Sequence, residues 1–377
     1  MNIHILHDDK FTNGAIQQFE QFYPEQNLYI VLLYDKPDLI YTSPNDKLIR
    51  LHIRDRKLTQ KLNNLIKQNP VVKNLFVHYL DSFKAAIAVR LIKKNRLNFY
   101  WIFYGGDLYD FLIRHLQYDI YDDKQYLQKT PMLSEFVKKV KYLIWFGMTP
   151  KKVLLSAFQE VDFFCFWNEY DFELFKRKLK TKAKKKNFIY YNALGNPSLP
   201  LVEKKNSIVI NHSASVSGNH FSILKSLKNL KVDSTKFNII LPLSYGNKSY
   251  ADQVVSFAKT IMGNSVMPLM DFLPINEYQN ILSEVKIAIF GMRRQEAAGN
   301  IFLLINMGAK VFLREENTLL QWLKKRDFLI YSIEKDLQDG LNLNGLSADE
   351  IAHNRTCYQK TFNEKNFAKF MNGLIQE

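Results

Sequence analysis

The chain has 377 residues, 47% hydrophobic and 24% charged, with 52 basic against 37 acidic side chains and a formal charge of +15. That length exceeds one comfortable core and fits two domains, and the composition argues against large-scale disorder. Its two cysteines, Cys165 and Cys357, argue against a disulfide framework or a zinc site and suit a reducing compartment.

Short strand-like runs alternate with amphipathic stretches from the start. Strands are predicted at Asn2–Leu6, Leu28–Leu33, Leu48–His52, Asn74–His78, Asn98–Tyr104 and Asp162–Trp167, with helices at Thr12–Phe22, Lys57–Lys67 and Ser82–Lys93 between them. The second half repeats the rhythm, with strands at Ser207–Asn211, Phe237–Leu241, Val266–Leu269, Lys286–Phe290, Lys310–Leu313 and Phe328–Ser332. Helices are predicted near Asn219–Leu230, Lys248–Met262, Ile275–Glu284, Asn300–Met307 and Asn317–Lys324. Such alternation means parallel sheets covered by helices on both faces, so the expected fold class is α/β with two Rossmann-like domains facing a central cleft. The expected boundaries are 1–190, a turn-rich linker 191–206, 207–345, and a C-terminal helical segment 346–377 packing back on the first domain.

In open parallel sheets ligands bind beyond the carboxyl ends of the strands, so the loops there are the places to look. The turn Phe290–Asn300 carries Arg293, Arg294, Gln295, Gly299 and Asn300 ahead of a helix. Small residues admit a ligand closely, free helix amides favour an anion, and arginines fork onto phosphate oxygens. A solvated charged turn is the equal alternative. The loop His212–His220 is rich in small and hydroxyl residues, with Ser213, Ser215, Gly218 and Asn219 offering an anion or sugar site, or an ordinary helix cap. Tyr245 follows the next strand, and Phe272 to Tyr278 could hold a base or simply pack and cap.

In the first half, Gly105-Gly106-Asp107 follows a strand. Asp107 there either takes a proton from an acceptor hydroxyl or caps the next helix. His78 and Asp9 also sit at strand ends and are the further candidates for the base. Asp122-Asp123 read as solvated loop residues rather than a metal pair, and no Walker loop, HExxH or nucleophile elbow is present.

The charge implies an anionic partner: nucleic acid, a membrane surface or a phosphorylated substrate. No apolar run reaches the roughly 18–20 residues of a spanning helix, and Met1–Leu6 is too short for a signal peptide, so a soluble or peripheral protein is expected. Around Phe136–Gly147 a helical pattern puts Phe136, Val137, Val140, Leu143 and Ile144 on one face and Lys138, Lys139, Lys141 on another, with Trp145 among the lysines. That arrangement suits contact with an anionic membrane surface. The lysine run Lys176–Lys186 reads as a solvated strip. Nucleic-acid binding has no accompanying RRM, KH or helix-turn-helix signature and is not expected.

Several stretches resemble one known family, the TDP-N-acetylfucosamine:lipid II N-acetylfucosaminyltransferases, glycosyltransferase family 56, which act in enterobacterial common antigen assembly. Asn211–His220 resembles its Gly-Asn-Ser-Gly-Asp…Asn-Glu-His loop, and Leu241–Gly246 its Val-Pro-Met-Gly-Tyr segment. Arg294–Ile301 is similar to its Arg-Gln-Gln-Gly-Ile-Gly-Thr-Leu run, Leu313–Asn317 to its Leu-Asn-Arg-Glu-Asn, and Tyr104–Tyr109 to its Trp-Gly-Ala-Asp-Leu-Tyr. The chain departs from these at Asn211-His212, Tyr104 and Ala297.

The resemblance implies a GT-B glycosyltransferase with an acceptor and membrane-facing first domain and a nucleotide-sugar-binding second domain. It implies a TDP-linked amino-deoxysugar donor, a polyprenyl-diphosphate-linked saccharide acceptor, and a peripheral place at the cytoplasmic face of the bacterial inner membrane. No cofactor and no metal are expected. Two other readings stand beside it. One is a GT-B enzyme of capsule or O-antigen assembly with another nucleotide sugar; the other is a non-catalytic basic protein that binds nucleic acid or membrane.

Overall fold

The computed structural model describes residues 1–34, 39–43, 46–55, 57–127, 131–190, 200–233, 235–337 and 343–375. The chain divides into two compact units. Unit 1 comprises Met1–Tyr118, Lys129–Asn192 and Glu364–Glu377, and unit 2 comprises Asp119–Gln128 and Ala193–Asn363.

Unit 1 runs β1 (Asn2–His7), α1 (Thr12–Phe22), β2 (Asn27–Leu33), β3 (Leu48–His52), α2 (Leu58–Gln68), β4 (Asn74–His78), α3 (Ser82–Asn95), β5 (Asn98–Ile102) and α4 (Gly106–Leu116). It resumes with α5 (Met132–Phe146), α6 (Pro150–Glu160), β6 (Phe163–Cys165), α7 (Glu169–Lys178) and β7 (Lys184–Lys186). Its seven strands are all parallel in the order β3-β2-β1-β4-β5-β6-β7.

Unit 2 runs β8 (Lys205–Ile210), α8 (His220–Asn229), β9 (Asn238–Pro242), α9 (Lys248–Met262), β10 (Val266–Leu269), α10 (Ile275–Ser283), β11 (Val285–Phe290) and α11 (Ala298–Asn306). It continues through β12 (Lys310–Leu313), α12 (Thr318–Lys324), β13 (Tyr331–Ser332), α13 (Ile333–Asp336) and α14 (Ala348–Thr361). Its parallel sheet has the order β10-β9-β8-β11-β12-β13. The last helix, α15 (Glu364–Asn372), belongs to unit 1.

Both units are therefore doubly wound Rossmann sheets. Runs such as Ile208–Ile210, Ile239–Leu241 and Ile287–Phe290 are apolar on both faces because helices cover both sides. In each sheet the strand order reverses once, between β1 and β4 in unit 1 and between β8 and β11 in unit 2. Helices leave to opposite faces there, and in open parallel sheets such a reversal is where ligands bind.

Three features differ from the expectations drawn from sequence. The lysine run does not remain a free strip, since Lys184–Lys186 pairs with β6 as the edge strand. Lysines suit such an edge because their charge opposes further strand pairing. The segment 346–377 divides, with α14 in unit 2 and α15 in unit 1. Residues 191–199 of the expected linker lie outside the described residues.

The third difference is the strap 119–128, which interrupts the chain between α4 and α5 and belongs to unit 2. Asp122 is not solvated. Its carboxylate accepts from Arg293 at 2.5 Å, from Arg314 and from the Ser222 hydroxyl, with its side chain 13% exposed. Arg314 also pairs with Glu334 at 3.1 Å. Farther along the strap, the Tyr126 ring stacks on Phe221 at 4.1 Å. Asp122→Ala would leave two arginines close together without their shared carboxylate. A loss of about 3 kcal/mol is expected in urea unfolding followed by a probe in unit 2.

Candidate functional site

In unit 2 the loops after β8 and β11 are stitched together by two asparagine amides. Asn211, at φ +59°, donates through Nδ2 to Gly218 O at 2.9 Å, and its Oδ1 accepts from Gly291 N at 2.8 Å. Asn219 donates to Gly291 O at 2.9 Å and to Ile120 O at 3.0 Å, while its Oδ1 accepts from Asp122 N at 2.9 Å. A Cβ on Gly291 would lie 2.2 Å from Gly218 O, so only glycine allows this approach. Gly218 and Asn219 are therefore inward packing residues. Both were expected in a ligand-binding loop, and both tie that loop to its neighbours.

Around this stitched core the remaining loop residues form a continuous polar string. The Ser215 and Ser217 hydroxyls are 2.7 Å apart, Ser217 donates to Glu296 at 3.0 Å, and Arg294 pairs with the same Glu296 oxygen at 3.1 Å. His212 Nε2 lies 3.9 Å from the other Glu296 oxygen, and its ring meets the edge of Tyr245 at 5.9 Å. The Tyr245 hydroxyl bonds the buried Ser213, and Tyr278 is close enough to raise its own pKa through Tyr245 in addition to burial. Ser213, Ser215, Tyr245, Tyr278, Arg294 and Gln295 are thus brought into one neighbourhood or onto its framing loops.

Helix α11 begins here. Its N-cap, Ala297, sits at φ +61° and supplies no side-chain cap, so the first amides of the helix lack a capping side chain; Gly299 and Asn300 occupy this first turn. That end of the helix carries positive dipole charge. Asn317, fully buried, donates to Met292 O and Arg294 O and holds the turn that presents Arg294. Arg293 is directed instead to Asp122, so it does not join Arg294 as the second arm of a fork. Phe272 stands exposed in the loop after β10.

In unit 1 the three candidate bases have distinct surroundings. Asp107 is buried, and its carboxylate accepts from Trp101 Nε1 at 2.6 Å, Leu80 N at 3.1 Å and Tyr104 N at 3.3 Å. Burial, only partly offset by these donors, pushes its pKa up to about 6. Asp107 binds the loops after β4 and β5 together through these buried bonds. His78 is also buried, between His4 Nδ1 at 3.2 Å and the Tyr190 hydroxyl at 2.8 Å, and burial holds it well below the usual histidine range.

Asp9 keeps part of its carboxylate accessible. It accepts from Phe11 N at 2.7 Å and Thr12 Oγ1 at 3.2 Å, and lies 3.0 Å from His7 Nε2. Burial would raise its pKa, but the bond from His7 and the backbone donor of Phe11 lower it on balance, so it is an ionised acceptor at neutral pH. His7 is itself fixed through Nδ1, which lies 2.9 Å from Lys84 Nζ. Lys84 is fully buried and reaches His78 O at 2.7 Å, and burial lowers its pKa. A lysine donor at Nδ1 fixes the tautomer that presents Nε2–H to Asp9. Phe11, Tyr79, Tyr104 and Tyr190 ring this row, with Phe11 and Tyr190 stacked at 5.5 Å.

Sequence reasoning missed His7, Lys84, Glu296 and Asn317. The available signal was Lys84 itself, a single cation inside the apolar run Phe83–Val89 of a helix.

The comparisons bear on this arrangement of two Rossmann units. The family described as 4-alpha-L-fucosyltransferase, glycosyl transferase group 56, matches residues 163–362, more than half of the chain. The chain belongs to glycosyltransferase group 56. Solved structures share the fold over nearly the whole length of this glycosyltransferase. Sucrose-phosphate synthase from Thermosynechococcus elongatus superposes with a TM-score of 0.61 at 10% identity, covering 99% of this chain and 98% of that one. Anabaena HepE in complex with UDP gives 0.60 at 8%, covering 100% and 99%. The N-terminal domain of Candida albicans trehalose-6-phosphate phosphatase gives 0.62 at 11%, covering 99% and 95%. At such identities these likenesses establish the GT-B fold, while family membership establishes that the chain is a glycosyltransferase.

Asp107 carries a pH signature. Its folded pKa of about 6 lies above the ordinary carboxyl value of about 4. Its stabilising contribution is therefore complete below about pH 4 and is lost as pH rises through about 6. Asp107→Asn removes this slope and turns an amide NH2 or a mismatched oxygen toward the Tyr104 or Trp101 donors. Urea unfolding across this window should show a flatter pH dependence and a loss of about 1 kcal/mol, with turnover retained.

Proposed function

We propose that this glycosyltransferase moves a 4-acetamido-4,6-dideoxyhexose, N-acetylfucosamine-like, from a TDP-sugar to a polyprenyl-diphosphate-linked saccharide. The product serves cell-surface polysaccharide synthesis, and the enzyme works peripherally at the cytoplasmic face of the bacterial inner membrane. The observation that carries the donor half is the unit 2 loop cluster, where Arg294 and the uncapped start of α11 stand beside the Ser213–Ser217 loop at the reversal of strand order.

Sugar transfer breaks the bond between the anomeric carbon and the donor's terminal phosphate oxygen. Charge then accumulates on the leaving diphosphate, and fixed donors aimed at it lower the barrier. Arg294 supplies a full positive charge, the amides around Gly299 and Asn300 supply oriented dipoles, and Ser213 and Ser215 supply hydroxyls. This provision is the basis for proposing metal-independent transfer with no cofactor. The diphosphate competes with Glu296 for Arg294, so donor binding rearranges that pair. Tyr245, with Tyr278 beside it and Phe272 in the neighbouring loop, gives the base an aromatic surface.

For an inverting transfer, Asp9 is the group assigned to take the acceptor hydroxyl's proton, with His7 and Lys84 fixing its orientation. Asp107 and His78 remain interior supports of the same loops. The aromatic rings around Asp9 suit the C–H faces of a saccharide.

A thermal-shift panel of nucleotides tests the donor. TDP should raise the melting temperature more than UDP or GDP, and Arg294→Ala should abolish the rise while leaving the unliganded Tm within a few degrees of wild type. A preference for UDP or GDP would point to the capsule or O-antigen reading. In a second measurement, Asp9→Asn should lower kcat by about a hundredfold or more with donor affinity unchanged. Retained turnover would remove Asp9 as the base.

A further inference from the structure

Helix α5 stands out from the rest of unit 1. Of its fifteen residues only Tyr142 is buried. Met132 is 89% exposed, Leu133 74%, Phe136 64% and Ile144 76%, with Val140 and Leu143 also open. At 3.6 residues per turn these side chains share one sector of roughly 140°. Tyr142 and Phe146 lie outside that sector and face the body. The Tyr142 hydroxyl meets Ser82 Oγ at 2.8 Å, and the Phe146 ring packs on Phe83 at 5.5 Å and under Arg90 at 4.9 Å. Arg90 also donates to Trp145 O at 2.8 Å. The helix is thus fixed along one edge, and its apolar sector turns away from the fold.

A surface of this size and composition costs free energy in water and marks an interaction site. The flanking chemistry selects the partner. Lys139 borders the apolar sector on one side and Lys141 on the other, with Lys138 next to the half-exposed Trp145 and Lys151–Lys152 following at the start of α6. The helix carries one acid, Glu135, which pairs with Arg114. A protein partner matching the apolar stripe alone would have no use for cations along both borders. A lipid surface would: acyl chains take the apolar sector and the stems of Lys139 and Lys141 extend to phosphate depth.

We propose that α5 lies in the plane of an anionic bilayer and inserts Met132, Leu133, Phe136, Val140 and Ile144 between headgroups. No helix among the described residues is long and apolar enough to cross a membrane. The sequence reading had centred membrane contact on Trp145 and the lysines. The exposure pattern moves the centre to the apolar sector, bordered by Lys139 and Lys141, with Lys138 and Trp145 on the far side of the helix. The proposal does not rest on the sugar-transfer reading, because attachment needs neither donor nor acceptor.

The test is co-sedimentation of the full chain with phosphatidylcholine vesicles, with and without phosphatidylglycerol, in the absence of nucleotide sugars. Binding should require phosphatidylglycerol and weaken with salt. The triple change Leu133→Ser, Phe136→Ser and Ile144→Ser should lower the partition coefficient at least tenfold, with Tm and circular dichroism unchanged because these side chains carry no core contacts. Lys138→Gln, Lys139→Gln and Lys141→Gln together should remove the dependence on phosphatidylglycerol. Failure of the wild-type chain to bind anionic vesicles overturns the proposal. So does undiminished binding by the serine variant, or a wild-type dimer without vesicle binding that the serine variant converts to monomer. Transferase activity with soluble acceptor analogues, measured separately, distinguishes a failed attachment from a failed enzyme assignment.

Discussion

Asn219 holds the architecture of unit 2 together at the point where its sheet reverses. One amide group, buried and set at φ +53°, bonds Gly291 in the β11 loop and both Ile120 and Asp122 in the strap. Because the β8 and β11 loops leave their strands toward opposite faces, they would otherwise splay apart. Asn219 and Asn211 draw them within glycine-to-glycine distance instead. The same contact fixes where Asp122 enters, and Asp122 in turn decides which arginine of the Arg293–Arg294 pair is drawn inward and which remains beside Glu296.

Unit 1 reaches a comparable result by other means. There the loops after β1, β4 and β5 are joined by buried charge rather than by amides. Lys84 spans the β1 and β4 loops, and Asp107 spans those of β4 and β5. Both groups are desolvated, and each has the partners that a buried ion requires. A rigid, prepaid polar interior behind a partly open carboxylate is what proton transfer at a fixed position demands. The two Rossmann units thus carry opposite electrostatics at their strand-order reversals, an arginine beside an uncapped helix start in one and an ionised carboxylate in the other.

Most of the fold was legible in the residues because parallel sheets covered on both faces write themselves as apolar runs. Strand β3, the run Asn74–His78 and helix α9 coincide with their predicted spans. What escaped depends on contacts distant in sequence. The strand of lysines at the sheet edge has no apolar signature. Asp122 finds its arginines 171 and 192 residues away, so its loop reads as solvated until the chain is folded. Asp107 follows two glycines as a catalytic group or a cap would, and only the Trp101 indole beside it reveals a third role. Of the residues expected to bind a donor, Arg294, Ser213, Ser215 and Tyr245 share one neighbourhood, while Gly218 and Asn219 turn inward. In α5 the periodicity was visible in the sequence, but an apolar stripe ordinarily faces a core, and only the fold shows that this one faces out.

The placement of α15 has a consequence for how the molecule folds. Its Met371 receives Gln18 at 3.0 Å, its following Gly373 carbonyl receives Lys186 at 2.9 Å, and Met371 and Leu374 belong to the core around β1 and β2. Gln18 of α1 and Met371 of α15 stand 353 residues apart in the chain and yet share one core. Contacts of such long separation close slowly, so the α1–α15 seam forms late in refolding, and until then that side of α1 stays open to proteases and to aggregation.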